Sequence, residues 1–354
     1  MRIAVALSGG VDSSVSLHLL KQQGHDLIAI FMKNWDDEED PFCPAARDYE
    51  DALMVADKLG IPLYAFDFSS EYWDNVFGYF LEELKQGYTP NPDILCNREI
   101  KFKVLLEKAH ELGADKLATG HYARVIEGNL CRAVDPTKDQ SYFLYAIERE
   151  VLDQVLFPIG SLEKTEVRRI AKEEGLITHD KRDSTGICFI GKRKFSEFIS
   201  KYMPPQKGYF RTAEGKILGE HNGAWFYTIG QRKGLGIGGP GDAWFVIDKN
   251  VETHDVFVVQ GENHPSLLTQ EIFATDINWV AKGDMPHQFQ ATAKIRYRTQ
   301  DEPCIVERVG ENQILVRFNE PVRAATPRQS IVLYQGEICL GGALIAPSKK
   351  KSIG

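Results

Sequence analysis

The chain has 354 residues, 43% of them hydrophobic and 26% charged. That is the balance of an ordinary globular protein of about two domains, with room for a third small one, and it excludes a disordered or collagen-like chain. The net charge of −8 is local: residues 1–100 hold 7 basic against 18 acidic residues (net −11), many of them in Asp36-Asp37-Glu38-Glu39-Asp40, and the rest holds 35 against 32 (net +3), so an anionic partner is not excluded.

The first 120 residues alternate strand and helix signals. Ile3–Leu7 reads as a buried strand, Ser13–Gln23 as a helix, Leu27–Met32 as a strand and Ala45–Leu59 as a helix. Leu63–Phe68 is a third strand. Ser70–Lys85 is a helix with a Ser cap, and Gly87-Tyr88-Thr89-Pro90-Asn91-Pro92 is a turn. Arg98–Leu112 follows as a helix capped by Asn97, then Lys116–Thr119 as a strand. Such alternation predicts a parallel sheet with helices on both faces. The helical pattern fades after Met203, and Pro204-Pro205 makes a hinge. Gly-rich turns and short β-like runs fill 208–266. Phe273–Val280, Gln290–Arg298, Cys304–Val309, Ile314–Phe318, Ser330–Tyr334 and a run near Ile338–Ile345 read as the strands of a small barrel or sandwich. Expected domains are 1–205, 206–269 and 270–354. The apolar run Ile3–Leu7 is too short for a signal-peptide core or a membrane span. Six cysteines then point to free thiols in a reducing cytoplasm, with no membrane partner.

Ser8-Gly9-Gly10-Val11-Asp12-Ser13-Ser14 follows the first strand and opens a helix. Adjacent glycines permit a sharp turn and close approach of a ligand, and N–H groups at a helix start cradle phosphate oxygens. Asp12 inside such a cradle needs a cation, so it suggests Mg²⁺. Gly234-Leu235-Gly236-Ile237-Gly238-Gly239 matches a dinucleotide string, but Pro240-Gly241 and a β-like run follow it rather than a helix, which argues against that use.

Two cysteines stand out. Cys96 precedes Asn97 and lies near Lys101, so a lowered thiol pKa is expected. Cys188 sits in the glycine-bounded string Gly186-Ile187-Cys188-Phe189-Ile190-Gly191. Cys43, Cys131, Cys304 and Cys339 read as small hydrophobes, and with no C-x-x-C pair a zinc site is not expected.

The S-G-G-x-D-S string resembles the pyrophosphate loop of the N-type ATP pyrophosphatases, which adenylate a substrate oxygen. Five further strings narrow the resemblance: Asn91-Pro92-Asp93 with Cys96, Thr119-Gly120-His121-Tyr122-Ala123, Lys138-Asp139-Gln140-Ser141-Tyr142, the Cys188 string, and Tyr227-Thr228-Ile229-Gly230-Gln231-Arg232-Lys233-Gly234. In this order, over nearly the whole chain, they resemble the bacterial tRNA-specific 2-thiouridylases. That resemblance implies an α/β ATP pyrophosphatase domain, a small central domain and a C-terminal β-barrel. It implies ATP at Ala6, Leu7, Ser8, Gly9, Gly10, Val11, Asp12, Ser13, Met32 and Gly120. It further implies adenylation of the C2 oxygen of the anticodon wobble uridine, which creates a good leaving group, and sulfur carried as a persulfide on Cys188. Cys96 then releases the product, or first frees hydrosulfide, and Asp93 is the acid/base group. The family's tRNA contacts fall at Asn91, Pro92 and Asp93 around the flipped base, and at His121, Lys138, Asp139, Gln140, Arg296, Tyr297 and Gln329. Expected partners are a tRNA anticodon stem-loop and a persulfide-donating sulfur carrier protein or cysteine desulfurase. Some related thiolases hold an iron–sulfur cluster on three cysteines; Asp93 stands at one of those positions, which favours the persulfide route. An amidating synthetase would need no cysteine, and a non-catalytic nucleotide-binding module would release no pyrophosphate.

Overall fold

The computed structural model describes residues 1–35, 44–183 and 195–347. Cys43 and the Cys188 string lie outside these. The N-terminal part runs β1 (Arg2–Ala6), α1 (Val11–Gln22), β2 (Asp26–Lys33), α2 (Pro44–Leu59) and β3 (Leu63–Asp67). Two long helical runs follow, α3 over 69–85 and α4 over 92–111, each containing a stretch of wider π-type turns (Trp73–Phe77 and Cys96–Val104). Then come β4 (Lys116–Ala118), β5 (Ala123–Ile126), β6 (Asn129–Arg132), β7 (Val155–Leu156) and α5 (Lys164–Glu173).

Five strands form a wholly parallel sheet in the order β3-β2-β1-β4-β7. Ile3, Ala4, Val5 and Ile28, Ala29, Ile30 are buried on both faces, as central parallel strands must be when helices cover both sides. One face packs Val5, Val15, Leu17, Val55 and Val167; the other packs Ile28, Ile30, Phe77, Ile100 and Leu117. Strand order reverses between β1 and β4. In an open α/β sheet the crevice beyond the strand ends at such a point is where ligands bind.

Two helix starts differ from expectation. Phe68, not a serine, stands at the N-cap of α3 and offers no side-chain acceptor; the residue before it, Asp67, supplies one, its Oδ1 accepting from the Ser69 N–H at 2.9 Å and the Ser69 hydroxyl at 2.5 Å. α4 begins six residues before Arg98. Asn91 caps it by accepting from the Asp93 N–H at 3.1 Å, and Pro92 sits in the first turn, where a missing N–H costs nothing. Asn97 is therefore inside the helix, its Nδ2 donating to the Phe143 carbonyl at 3.0 Å.

The central part is a small four-stranded sheet of β8 (Gly208–Arg211), β9 (Ile217–His221), β10 (Trp244–Asn250) and β11 (Asp255–Gln260), ordered β10-β11-β8-β9. The C-terminal part is β12 (Leu268–Trp279), β13 (Gln288–Lys294), β14 (Glu302–Gly310), β15 (Gln313–Arg323), β16 (Ser330–Gln335) and β17 (Ile338–Ile345). These six close into a barrel when β17 pairs with β12. The expected strand through Arg298 stops at Lys294, and Ile295–Arg298 turn away in a bend. The sequence reading did not predict the β5–β6 hairpin. It turns through Glu127 and Gly128, both at positive φ, the geometry a two-residue hairpin loop favours. It joins the barrel sheet through Ile338 opposite Cys131, so N-terminal domain and barrel share one sheet. Among the described residues no helix is long and apolar enough to cross a membrane.

Candidate functional site

The loop between β1 and α1 is pinned from several sides. Ser8 N–H donates to Ser13 Oγ at 3.2 Å, and Ser13 and Ser14 hydroxyls donate to the Gly10 carbonyl at 3.1 and 2.8 Å. Gly9 has φ +71°, and a Cβ there would lie 2.1 Å from the Asp48 carbonyl oxygen. No other residue fits that approach. Lys181 donates to the Gly9 carbonyl at 2.8 Å and to Asp48 at 2.7 Å, and also reaches Asp51. Gly10 at the α1 N-cap supplies no side-chain acceptor. The first-turn N–H groups of this twelve-residue helix are thus left for an external anion, and the loop fits a polyphosphate.

Across the crevice, Gly120 follows β4. A Cβ on it would come within 2.7 Å of the Ser13 nitrogen, so this glycine lets the β4 loop lie directly on the α1 start. Met32 lies near the end of β2, half-buried. The Tyr122 hydroxyl donates to Asp12 at 2.8 Å, and burial followed by Asp12 itself raises its pKa. Gln140 Oε1 accepts from the Tyr122 N–H at 2.9 Å.

Lys164, at the first position of α5, gave no sequence signal strong enough to single it out. Its ammonium reaches both Asp12 oxygens at 2.7 and 2.8 Å and Asp183 at 2.8 Å. Asp183 also accepts from Lys138 at 2.7 Å and Arg168 at 2.8 Å. Burial pushes the Asp183 carboxyl up, but the Lys138 and Lys164 hydrogen bonds outweigh it and leave it at about 2. The cation that pairs with Asp12 in this structure is the Lys164 ammonium, which bonds both carboxylate oxygens.

The cysteine arm meets the same crevice through one histidine. His121 is buried between Phe102 and Phe157. Lys101 of α4 donates to Nε2 at 3.4 Å, and Nδ1 shares a 2.7 Å hydrogen bond with the Thr119 hydroxyl. An ammonium has nothing to accept with, so Nε2 accepts and Nδ1 carries the proton. Burial, then Lys101, holds the ring well below its usual pKa and therefore neutral.

Cys96 overturns the expected low-pKa thiol. It lies within α4, is 1% exposed and packs in the apolar core. Burial lifts its pKa to about 11; Lys101 pulls it down less, and Asp93 pushes it up. A cavity of about 360 Å³ opens beside the Asn91 cap, lined among others by Ile94, Leu95, Arg98, Tyr145 and Arg328. Asp93 and Cys96 do not line it. Cys131, Cys304 and Cys339 are buried free thiols, as expected of small hydrophobes.

The remaining tRNA candidates are engaged inside the protein. Asp139 is buried, accepting from the Ala133 N–H at 3.0 Å and the Ser141 hydroxyl at 2.9 Å. Arg296 lies in the bend after β13, off the expected strand. It donates to the Ile229 carbonyl at 2.5 Å, the Ala324 carbonyl at 3.1 Å and the Thr326 hydroxyl at 2.6 Å. Tyr297 packs on Phe143 with ring centroids 4.4 Å apart. Gln329 Nε2 donates to the Thr89 carbonyl. The Gly234–Gly241 stretch is an exposed loop with a shallow hollow of about 270 Å³.

An α/β domain of the HUP type, fused to a small β domain and a closed barrel, defines the class. Family models agree with it: residues 1–192 match the tRNA methyl transferase HUP domain, 196–260 the tRNA methyl transferase PRC-barrel domain, and 269–345 the aminomethyltransferase beta-barrel domain. Full-length relatives are closer still. The tRNA-specific 2-thiouridylase MnmA of Staphylococcus saprophyticus is 54% identical over 99% of this chain and 96% of the relative. That of Listeria welshimeri is 53% identical over 98% and 94%. Among solved structures, the U34-tRNA thiolase NcsA from Methanococcus maripaludis, solved with its 4Fe-4S cluster, is 18% identical, with a TM-score of 0.36 over 58% of this chain and 67% of that one. A likeness that weak carries no argument about this chain's chemistry. The chain belongs to the tRNA-specific 2-thiouridylase family, and it is an enzyme.

Proposed function

We propose that the protein makes 2-thiouridine at the wobble position of tRNA, activating the base with ATP and delivering sulfur from a cysteine persulfide. The observation that carries this reading is the junction at His121. It ties the Thr119–Tyr122 loop, which lies on the phosphate cradle, to the helix that carries Asp93 and Cys96. A nucleotide site and a thiol arm joined in this way suit an activation followed by a sulfur transfer.

In this reading the α1 N–H groups and the Ser8–Ser14 hydroxyls bind the ATP phosphates, and Met32 and Gly120 border the nucleotide. Lys164 supplies positive charge where pyrophosphate develops, and Asp12 holds that lysine in place. Any Mg²⁺ enters on the phosphates rather than on a protein carboxylate. Attack of the uracil C2 oxygen on the α-phosphorus expels pyrophosphate and leaves an adenylated base. The terminal sulfur of a Cys188 persulfide adds to C2, and the C2–O bond breaks to release AMP. The Cys96 thiolate then attacks the Cys188 sulfur, breaking the S–S bond to the sulfur now on C2. The products are 2-thiouridine and a Cys96–Cys188 disulfide, which an external dithiol reduces. Asp93 handles the proton. We favour this route over an iron–sulfur cluster because position 93 carries a carboxylate. Asn91, Pro92, Asp93, His121, Lys138, Asp139, Gln140, Arg296, Tyr297 and Gln329 shape the tRNA surface, several of them by holding loops rather than by reaching out. The free thiols suit a reducing cytoplasm, where a persulfide-donating carrier or desulfurase serves as sulfur partner.

The test is anaerobic incubation with ATP, a persulfide donor and unmodified tRNA, followed by mass analysis of the wobble nucleoside. The expected product is 2-thiouridine, with AMP and pyrophosphate. The family-model descriptions name methyl transfer instead, so S-adenosylmethionine forms a parallel arm. Methylated uridine there, with none thiolated, overturns the proposal.

A further inference from the structure

The Tyr227–Gly230 segment of the central domain has no part in the chemistry above, yet it is the point at which three domains touch. Gly230 has φ +82°, and a Cβ on it would sit 2.5 Å from the Ala324 Cβ. Arg296 of the barrel bonds the Ile229 carbonyl next to it. On the other side the segment faces the turn that leads into α4. The Thr228 hydroxyl donates to Thr89 Oγ1 at 3.4 Å. Beneath both lies Lys249 of β10, 8% exposed. Its ammonium donates to the Tyr227 carbonyl at 2.7 Å and to Thr89 Oγ1 at 3.4 Å. Gln329 holds the Thr89 carbonyl from the barrel side, and a Cβ on Gly87 would lie 3.0 Å from Val251 Cγ1.

Thr89 is thus held by the central domain and the barrel together. From Thr89 the chain runs Pro90, Asn91, Pro92, two fixed-φ residues around the helix cap, so little slack separates Thr89 from Asp93 and Cys96. A buried lysine is costly, because its charge must be desolvated. Nothing in a small β-sheet needs one for packing.

We infer that Lys249 is a positioning residue for the thiol arm: through Tyr227 and Thr89 it sets the start of α4, and hence the placement of Asp93 and Cys96. The inference rests on the proposed role of Cys96. Its test reads thiol protection instead of turnover, so it stands or falls separately from that role.

Lys249→Met keeps the length of the side chain and removes its donor. Full-length protein, reduced and without tRNA, is alkylated under native conditions, and labelling is resolved by peptide mass analysis. Cys96 should label about tenfold faster in the variant, the upper scale of one buried hydrogen bond, since burial pulls the Lys249 amine down to about 7 and leaves it only partly charged near neutral pH. Cys131, Cys304 and Cys339, buried in the hairpin and barrel, should label at the parent rate. Thr89→Val, a milder change, should give a similar Cys96 effect, and the double variant no more than the larger single one. Equal acceleration of all four cysteines would mean general loosening and overturn the inference; so would an unchanged Cys96 rate. If Lys249→Met does not fold, Thr89→Val decides the matter by the same comparison.

Discussion

The crevice at the start of α1 and the helix carrying Cys96 meet at His121, yet they are opposites in physical state. The crevice is polar, hydrogen-bonded and charged in its resting form: Asp12, Lys164, Asp183 and Lys138 are already paired, and the α1 start is open to an anion. Cys96 is enclosed in apolar core, with a thiol pKa of about 11. Preorganised charge speeds a phosphoryl step at no cost in reorganisation, whereas a buried thiol is kept from oxidants and from premature attack. On the proposed mechanism, the difference teaches that activation can begin in the resting fold, whereas sulfur transfer needs the helix carrying Cys96 to open first.

The largest expected effect separates the two halves outright. Cys96→Ser should lower thiolation at least about a thousandfold, since a serine hydroxyl neither forms the disulfide nor ionises near neutral pH. Pyrophosphate release dependent on tRNA should persist. Full thiolation by this variant, measured as 2-thiouridine per tRNA, would break the comparison. Lys164→Ala should do the reverse, lowering pyrophosphate release about 100-fold, the scale of losing one preorganised charge stabiliser. Loading of sulfur onto the enzyme from a persulfide donor should not change. Release at the parental rate would show that Lys164 merely neutralises Asp12.

Much of this was legible in the sequence where a local pattern has one physical solution. A buried strand followed by Ser8-Gly9-Gly10 and a helix leaves few options for the backbone, and the expected turn between β1 and α1 is found there. Lys164 was not legible: it lies 152 positions from Asp12, and an opening helical lysine looks like any solvated one. Cys96 shows how local reading fails. The choice of Asn97 as cap put the thiol at a helix start, but Asn91 and Pro92 form a better start, and the thiol falls one turn inside. The strand expected over Gln290–Arg298 stops at Lys294 because the chain bends there as the barrel closes, a non-local event that carries Arg296 off the strand. The hairpin β5–β6 gains its place from β17, more than 200 residues away, which no local window contains.

The pH dependence of thiol reactivity sharpens the comparison next. With a pKa of about 11 against 9.0 for an ordinary thiol, the Cys96 thiolate fraction at pH 8 is about 100-fold smaller, one factor of ten per unit. Its alkylation should climb about tenfold per pH unit up to about pH 10 without levelling near 9. The linked stability has a definite sign. A folded pKa above the unfolded one favours folding fully below about pH 9, and that share is lost as pH rises through 11. An alkylation curve that levels off near pH 7 would restore the low-pKa thiol and remove the need for a shift of α4.

The smallest effect concerns two arginines that flank Tyr297. Arg296 gives one nitrogen to Ile229, Ala324 and Thr326, while Arg298 is exposed. Arg296→Ala leaves buried carbonyls without their donor and should lower urea stability by about 2 kcal/mol; Arg298→Ala should stay within about 0.5 kcal/mol. For tRNA binding the order reverses. If the bend after β13 faces RNA, losing the exposed charge should flatten the slope of log affinity against log salt by about 0.7 to 0.9, the share of one phosphate. Losing Arg296 should leave that slope alone, because its charge is turned into the joint between barrel and central domain. The measurement is tRNA affinity over a salt series for each variant, alongside urea unfolding. A flatter slope with unchanged stability in Arg296→Ala would place this guanidinium on the RNA after all, and the joint at Ile229 would then be incidental.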